Sequence, residues 1–216
     1  MAKLTDLGFS KGIIFETIVS TFDEAKTPNA APMGVIMEDE QTLSLNIFNS
    51  SLTSHNLEAS RCAVINLTSD IAIFYRSTFK EANPDRKLPL EWFEKSERVN
   101  APKLRKADAT ADISVTRIQQ VGMDKNRIQC KIEKVTATKQ YPQLNCRAMA
   151  LTLEAIIHAT RVKAFATDPS KQEEVHKLLG LIENYSEVVN RVAPKSTYSA
   201  VMADLTGRIN YWRISK

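Results

Sequence analysis

Leu43-Ser44-Leu45-Asn46-Ile47-Phe48-Asn49-Ser50-Ser51-Leu52-Thr53-Ser54-His55-Asn56-Leu57 changes its period halfway along. The first part, Leu43 to Phe48, alternates apolar and polar residues, as a strand with one buried face does. It breaks into Asn49, Ser50, Ser51, Thr53 and Ser54, and a short helix is predicted from Thr53 to Ala59. A strand that turns through hydroxyls into a helix gathers backbone N–H groups, side-chain O–H groups and the positive helix end at one point. No Asp or Glu occurs from Thr42 to Asn56, although 25% of the chain is charged. A phosphate site needs that absence, because a carboxylate there would repel the ligand. Ser and Thr also cap helices with no ligand present, and on these residues alone the cap is the leading reading.

Working outward, the segments on either side predict more strands. Ile13 to Thr21 is β-branched and partly alternating. A hairpin-length connection, Phe22 to Pro28, leads to a second strand, Asn29 to Met37. Pro32 removes a ladder donor from that strand and Gly34 removes a side chain, which predicts an edge or a bend. Gly34 reads either as a bulge or as bare backbone on which a flat ligand rests. After the Glu38-Asp39-Glu40 turn and the opening stretch, Arg61 to Leu67 is a continuous apolar run, predicted central. Asn66 near its end needs hydrogen-bond partners if buried, either backbone groups or the polar edge of a ligand. Ile71 to Phe79 is read as extending the sheet. Residues 80–104 hold Pro84, Pro89 and Pro102 and predict an irregular excursion with one short helix around Leu90 to Val99, anchored by Trp92 and Phe93. Ala109 to Ile118 and Arg127 to Thr138 complete the strands, the second alternating with one slip. About six short strands before Gln140 point to a small closed sheet rather than βαβ units.

The period then becomes helical. Leu144 to Phe165 lacks Pro and Gly, and Arg147, Leu151, Glu154, His158 and Arg161 fall on one stripe. Glu154 and His158 have metal-compatible spacing without a third ligand, so a salt-bridged face is the expectation. Asp168-Pro169 is a helix start, and Val175, Leu178, Leu179, Ile182, Tyr185, Val189 and Val192 are the core face of the helix that Pro194 ends. Tyr198 to Lys216 reads as a helical turn and an Asn210-Tyr211-Trp212 segment packing back on the barrel.

Composition narrows the function. Among 216 residues the net charge is +4 and the pI about 8.9, with the signs mixed along the chain. That favours small anions over nucleic acid, since no Lys/Arg stripe interleaves with aromatics. Cys62, Cys130 and Cys146 are widely spaced, as buried reduced thiols are. Met1 to Asp6 has no apolar leader core and no apolar run reaches membrane-spanning length, which predicts a soluble cytoplasmic protein with no membrane partner.

Ser51-Leu52-Thr53-Ser54-His55-Asn56-Leu57, followed by Cys62-Ala63-Val64-Ile65-Asn66-Leu67, resembles the flavin-reductase-like, FMN-binding split barrels. Their pattern there is S-x-T-x-x-N-I, a short helix, then V-N-x-L. Ala101 to Ala109 is similar to the stretch leading into their fifth strand. Glu16 to Ser20, Pro28 to Val35, Asn145-Cys146-Arg147 and Glu154 to Arg161 resemble a largely archaeal branch of that superfamily. The resemblance covers roughly residues 10–165. It implies a mainly β (α+β) protein: a six-stranded Greek-key split β-barrel over residues 1–142, and a C-terminal helical extension, 143–216, packed on the barrel. It implies a homodimer with FMN near the subunit interface. Ser51 and Thr53, with the N–H groups around Asn49 and Ser50, would hold the phosphate. Met33 and Gly34 would lie along the isoalloxazine, Phe48 near it, Asn66 at a polar edge, and Arg147 would contact the cofactor. The long helical extension and the lack of recognisable nicotinamide-binding residues depart from ordinary flavin reductases. The expectation is an FMN-dependent oxidoreductase with an unidentified small-molecule electron donor or acceptor; the alternative is a flavin- or nucleotide-binding carrier or sensor without turnover.

Overall fold

The computed structural model describes residues 2–9, 11, 14–137 and 147–214, without the side chains of residues 147, 192 and 214. These residues fall into two compact units. One holds a barrel. The other takes Asp70–Tyr75 together with the helices after residue 142.

The barrel strands are β1 (Ile14–Phe22), β2 (Pro28–Met37), β3 (Thr42–Phe48), β4 (Cys62–Leu67), β7 (Ala109–Val121) and β8 (Lys125–Ala137). They close in the order β1-β2-β3-β8-β7-β4, every pairing antiparallel, with β4 paired to both β1 and β7 as its apolar run predicts. Alternation puts Val19, Val35, Leu43, Leu45, Ile65, Ala111, Ile113 and Ile128 into one core, all fully buried. The slip in the alternation of β8 is a real irregularity: Asp112 pairs with Lys134 and Ile113 with Ile132, so Glu133 is an extra residue.

The barrel is split between β2 and β3. Their ladder runs only from Val35 to Met37, whereas β2 pairs with β1 along its whole length. Pro28 to Gly34 therefore have an open side, as Pro32 predicts. Gly34 pairs with Glu16 without a bulge, and a Cβ there would lie 2.7 Å from Ile14 Cγ2. The missing side chain permits close approach of Ile14; it does not produce a kink.

Beyond β4 several expectations fail. Ile71 to Phe79 is no strand: α2 spans Ile71–Thr78. Asp70 starts it, accepting from Ala72 N–H at 2.9 Å, and Ile71, Phe74 and Tyr75 share a helical stripe and are buried. Helical spacing of the large apolar residues outweighed their β-branching. No α-helix forms around Leu90 to Val99, and the helical part is a single 3-10 turn. A 3-10 turn, Leu90–Trp92, runs into a short ladder of β5 (Phe93–Lys95) with β6 (Pro102–Leu104). Pro89 allows the turn, and backbone pairing with Pro102–Leu104 holds Phe93–Lys95 extended. Phe93 is buried as an anchor.

In the helical unit α3 (Arg147–Phe165), α4 (Gln172–Val192) and α5 (Thr197–Ile214) pack together. Asp168 caps the entry to α4 by accepting from Ser170 N–H at 2.9 Å, with Pro169 behind it. Val175, Leu178, Ile182 and Val189 face the core of this unit. The final segment is one helix over Thr197–Ile214, with Asn210-Tyr211-Trp212 inside it, rather than a turn followed by a separate segment. Trp212 meets Lys163 of α3, whose Nζ lies 5.1 Å from its ring centre. Among the described residues no helix is long and apolar enough to cross a membrane.

Candidate functional site

The turn between β3 and α1 (Leu52–Ser60) has the geometry its sequence predicts. Ser51 is the N-cap: its backbone is extended and its Oγ accepts from Ser54 N–H at 3.2 Å. Asn49 ties the turn to the β7–β8 hairpin, its N–H donating to Asp124 O at 2.9 Å and its amide to Met123 O at 3.4 Å. Ser50 is exposed. Thr53 is buried, and its Oγ1 accepts from Asn29 Nδ2 at 3.3 Å.

A hydroxyl has one proton to give as well as lone pairs to offer. Ser51 and Thr53 both use lone pairs, and among the described residues neither hydroxyl proton meets an acceptor. The N–H groups of Leu52 and Thr53, the first of α1, have no intrahelical partner by position and find no other among the described residues. No acidic residue lies in that first turn. Donors are thus left over at one helix end.

Sequence reading missed the cation. Lys80 Nζ donates to Asn29 Oδ1, so a chain of hydrogen bonds runs Thr53–Asn29–Lys80. Lys80 is half-buried, and among the described residues no carboxylate pairs with it. Burial holds its ammonium pKa below the usual 10.5. Asn29 and Lys80 are 51 residues apart, and nothing local marks the pair.

Asn29, Leu52 and Lys80 line a cleft of about 760 Å³, whose other walls include Pro28, Arg76 and residues 84–91. Its volume is within the range of small-molecule sites. Among the predicted cofactor contacts with described side chains, none lines it directly. Ser51 and Thr53 flank its wall residue Leu52, and the open side of β2 leads from Asn29 to Met33 and Gly34. Met33 is half-buried, its carbonyl accepting from Thr17 Oγ1 at 3.2 Å. Phe48 is 54% exposed with Lys125 Nζ 4.9 Å from its ring centre.

Asn66 ties the framework together. It is fully buried; its amide donates to Ile18 O, Ser20 Oγ and Val64 O at 2.9, 2.8 and 3.1 Å. Its Oδ1 accepts from Leu104 N–H at 2.7 Å, latching β6 to the barrel. The side chain of Arg147, at the head of α3, lies outside the described residues.

The remaining described candidates do not line the cleft. Cys62 and Cys130 are buried free thiols, and burial pushes Cys130 up to about 12; Cys146 lies outside the described residues. The stripe on α3 is not salt-bridged as expected: among the described residues Glu154 makes no ion pair. His158 instead stacks on Tyr185, ring centres 5.8 Å apart, and burial holds its imidazole below the ordinary range.

An antiparallel six-stranded barrel split beside a hydroxyl-lined helix start is the fold that the sequence resemblance implies. Nitrilotriacetate monooxygenase component B from Bacillus cereus has this fold, with a TM-score of 0.51 at 15% identity over 69% of this chain and 83% of its own. The chain belongs to the family described as "Protein of unknown function (DUF447) N-terminal domain", whose model matches residues 15–149. An FMN-bound protein of that family from Methanosarcina mazei is 25% identical to it, covering 94% of this chain and 98% of its own, with a TM-score of 0.76.

Proposed function

We propose that this chain binds FMN and is an oxidoreductase whose flavin passes electrons or hydride between small molecules, working as a cytoplasmic homodimer with the flavin near the subunit interface. The observation that carries the reading is the unanswered set of donors at the head of α1, joined through Thr53 and Asn29 to a half-buried lysine with no carboxylate partner among the described residues. A phosphate dianion answers each of these: hydroxyl protons from Ser51 and Thr53, the backbone N–H groups of Leu52 and Thr53 at the start of α1, and a countercharge from Lys80. The residues present therefore fit the group. When bound, FMN supplies the two-electron chemistry; the chain supplies position and polar contacts. The open side of β2 at Met33 and Gly34 offers the ring a backbone edge, with Phe48 as the exposed aromatic across the split. The FMN-bound relative, matched along nearly its whole length, supports the same ligand.

Changing Ser51 and Thr53 together to Ala removes two hydroxyl contacts to a charged group, about 1.5–3 kcal/mol each. FMN binding should weaken by about two orders of magnitude or more, while riboflavin, which lacks the phosphate, loses little. Fluorescence titration of both flavins measures this; equal FMN affinity in wild type and double variant would sink the phosphate assignment. Anaerobic mixing of the loaded protein with reduced nicotinamide or deazaflavin donors separates an oxidoreductase from a carrier, since only the former bleaches with turnover.

A further inference from the structure

Arg76, late in α2, is a guanidinium fixed in place with no carboxylate paired to it among the described residues. Its Cζ lies over the Trp92 ring, 4.7 Å from the ring centre, a cation–π contact that covers one side of the guanidinium. Its Nε donates to Asn83 Oδ1 at 2.8 Å. Asn83 is buried and holds the arrangement from the other side, donating to Arg76 O at 2.9 Å and Lys80 O at 3.0 Å. The ring contact and the Nε bond use one side and one edge. Among the described residues Nη1 and Nη2 meet no acceptor, and no carboxylate forms an ion pair with Arg76. Arg76 lines the cleft. Three carboxylates line it too: Asp23 is turned onto Thr27 N–H at 2.7 Å, and Asp85 and Glu91 are exposed.

Two Nη groups on a rigid plane make a forked donor that matches two oxygens of a carboxylate or phosphate. A flexible surface arginine must first be ordered by its ligand; one already clamped by an indole and an asparagine loses less freedom on binding. We propose that Arg76, held by Trp92 and Asn83, is a forked oxyanion clamp that binds a phosphate or carboxylate group of a small molecule in the cleft. That group belongs either to the flavin's own phosphate or to an anionic redox partner. The clamp stands on the geometry of Arg76; only its use by the flavin rests on the FMN reading.

The test compares the full chain with Arg76→Gln, which removes the charge, and Arg76→Lys, which keeps the charge but not the fork. Each is titrated with FMN and riboflavin, and the FMN-treated protein is then titrated with inorganic pyrophosphate. Melting temperatures identify any variant that fails to fold, and Arg76→Lys serves if Arg76→Gln does not. Removing a forked, charge-assisted pair of hydrogen bonds should weaken binding of its oxyanion by about tenfold or more, with Arg76→Lys also weakened. If FMN weakens and riboflavin does not, the clamp holds the flavin's phosphate. If FMN is unchanged and pyrophosphate weakens, it holds the redox partner. Both results support the proposal. FMN and pyrophosphate affinities that stay within about twofold of wild type in the folded variants overturn it. Wild-type protein that binds pyrophosphate through Arg76 yet refuses FMN sinks the flavin reading and leaves the clamp standing.

Discussion

Lys80 shows what one side chain contributes that neighbouring sequence does not reveal. Its ammonium is half-buried against the amide oxygen of Asn29, and desolvation lowers its pKa from 10.5. A phosphate dianion arriving beside it favours the charged form and raises that pKa again. Binding FMN then takes up protons in the alkaline window between the lowered pKa of the free protein and the higher one of the complex. FMN affinity should fall as pH rises through that window, riboflavin affinity should not, and Lys80→Gln should flatten the FMN curve. Titrations across alkaline pH, with the fold checked at each point, measure this; identical pH profiles for the two flavins would remove Lys80 from the phosphate site. Asn66 carries the opposite lesson. A polar residue in an apolar run was legible as one that must be satisfied, but not by whom. Its partners Ser20 and Leu104 lie on distant segments, so the choice between ligand and framework needed the fold.

At the scale of elements, α1 was the most legible part of the site, because a cap and a turn are local. Ser51, the acid-free first turn and the helix after it depend on residues within one or two turns of each other. The element α2 was not, because Ile71-Ala72-Ile73-Phe74-Tyr75 satisfies strand composition and helical spacing at once. The special feature of α1 can be tested by opposing two effects. Leu52 is its first residue, 47% exposed, and on the cleft wall. In Leu52→Glu, a carboxylate at a helix N-terminus gains about 0.3–1 kcal/mol from the helix dipole. The same charge repels a phosphate. The variant should melt at the same temperature as wild type or slightly higher, yet bind FMN at least about tenfold more weakly. A carboxylate that left FMN binding intact would place the phosphate elsewhere, whatever it did to the helix.

For the whole molecule, the barrel could be read from period alone, down to the slip at Glu133, since each strand's burial is set by alternation. The membership of Asp70–Tyr75 could not, because it depends on which distant residues cover a short apolar stretch. These residues group with the C-terminal helices, and Arg208 of α5 donates to Tyr75 Oη at 2.7 Å. Ile71 and Phe74, at 2% and 1% exposure, therefore group with the helical unit although they fall in the sequence between barrel strands. Ending the chain at residue 142 removes that unit's other helices. Exposing a large apolar side chain costs about 1.5–3 kcal/mol, and two of them remove a large part of the roughly 5–15 kcal/mol that holds a typical domain. The shortened chain should melt about 10 °C or more below the full chain and bind the dye that reports exposed apolar surface. Because α2 runs on without a break into Arg76, disorder in its first turn should also weaken FMN binding. Replacing Ile71 and Phe74 by Ser and Gln in the shortened chain should abolish the dye signal without restoring FMN affinity. A shortened chain that melts and binds FMN like the full one would show instead that the helices after residue 142 are not needed to hold Arg76 in place.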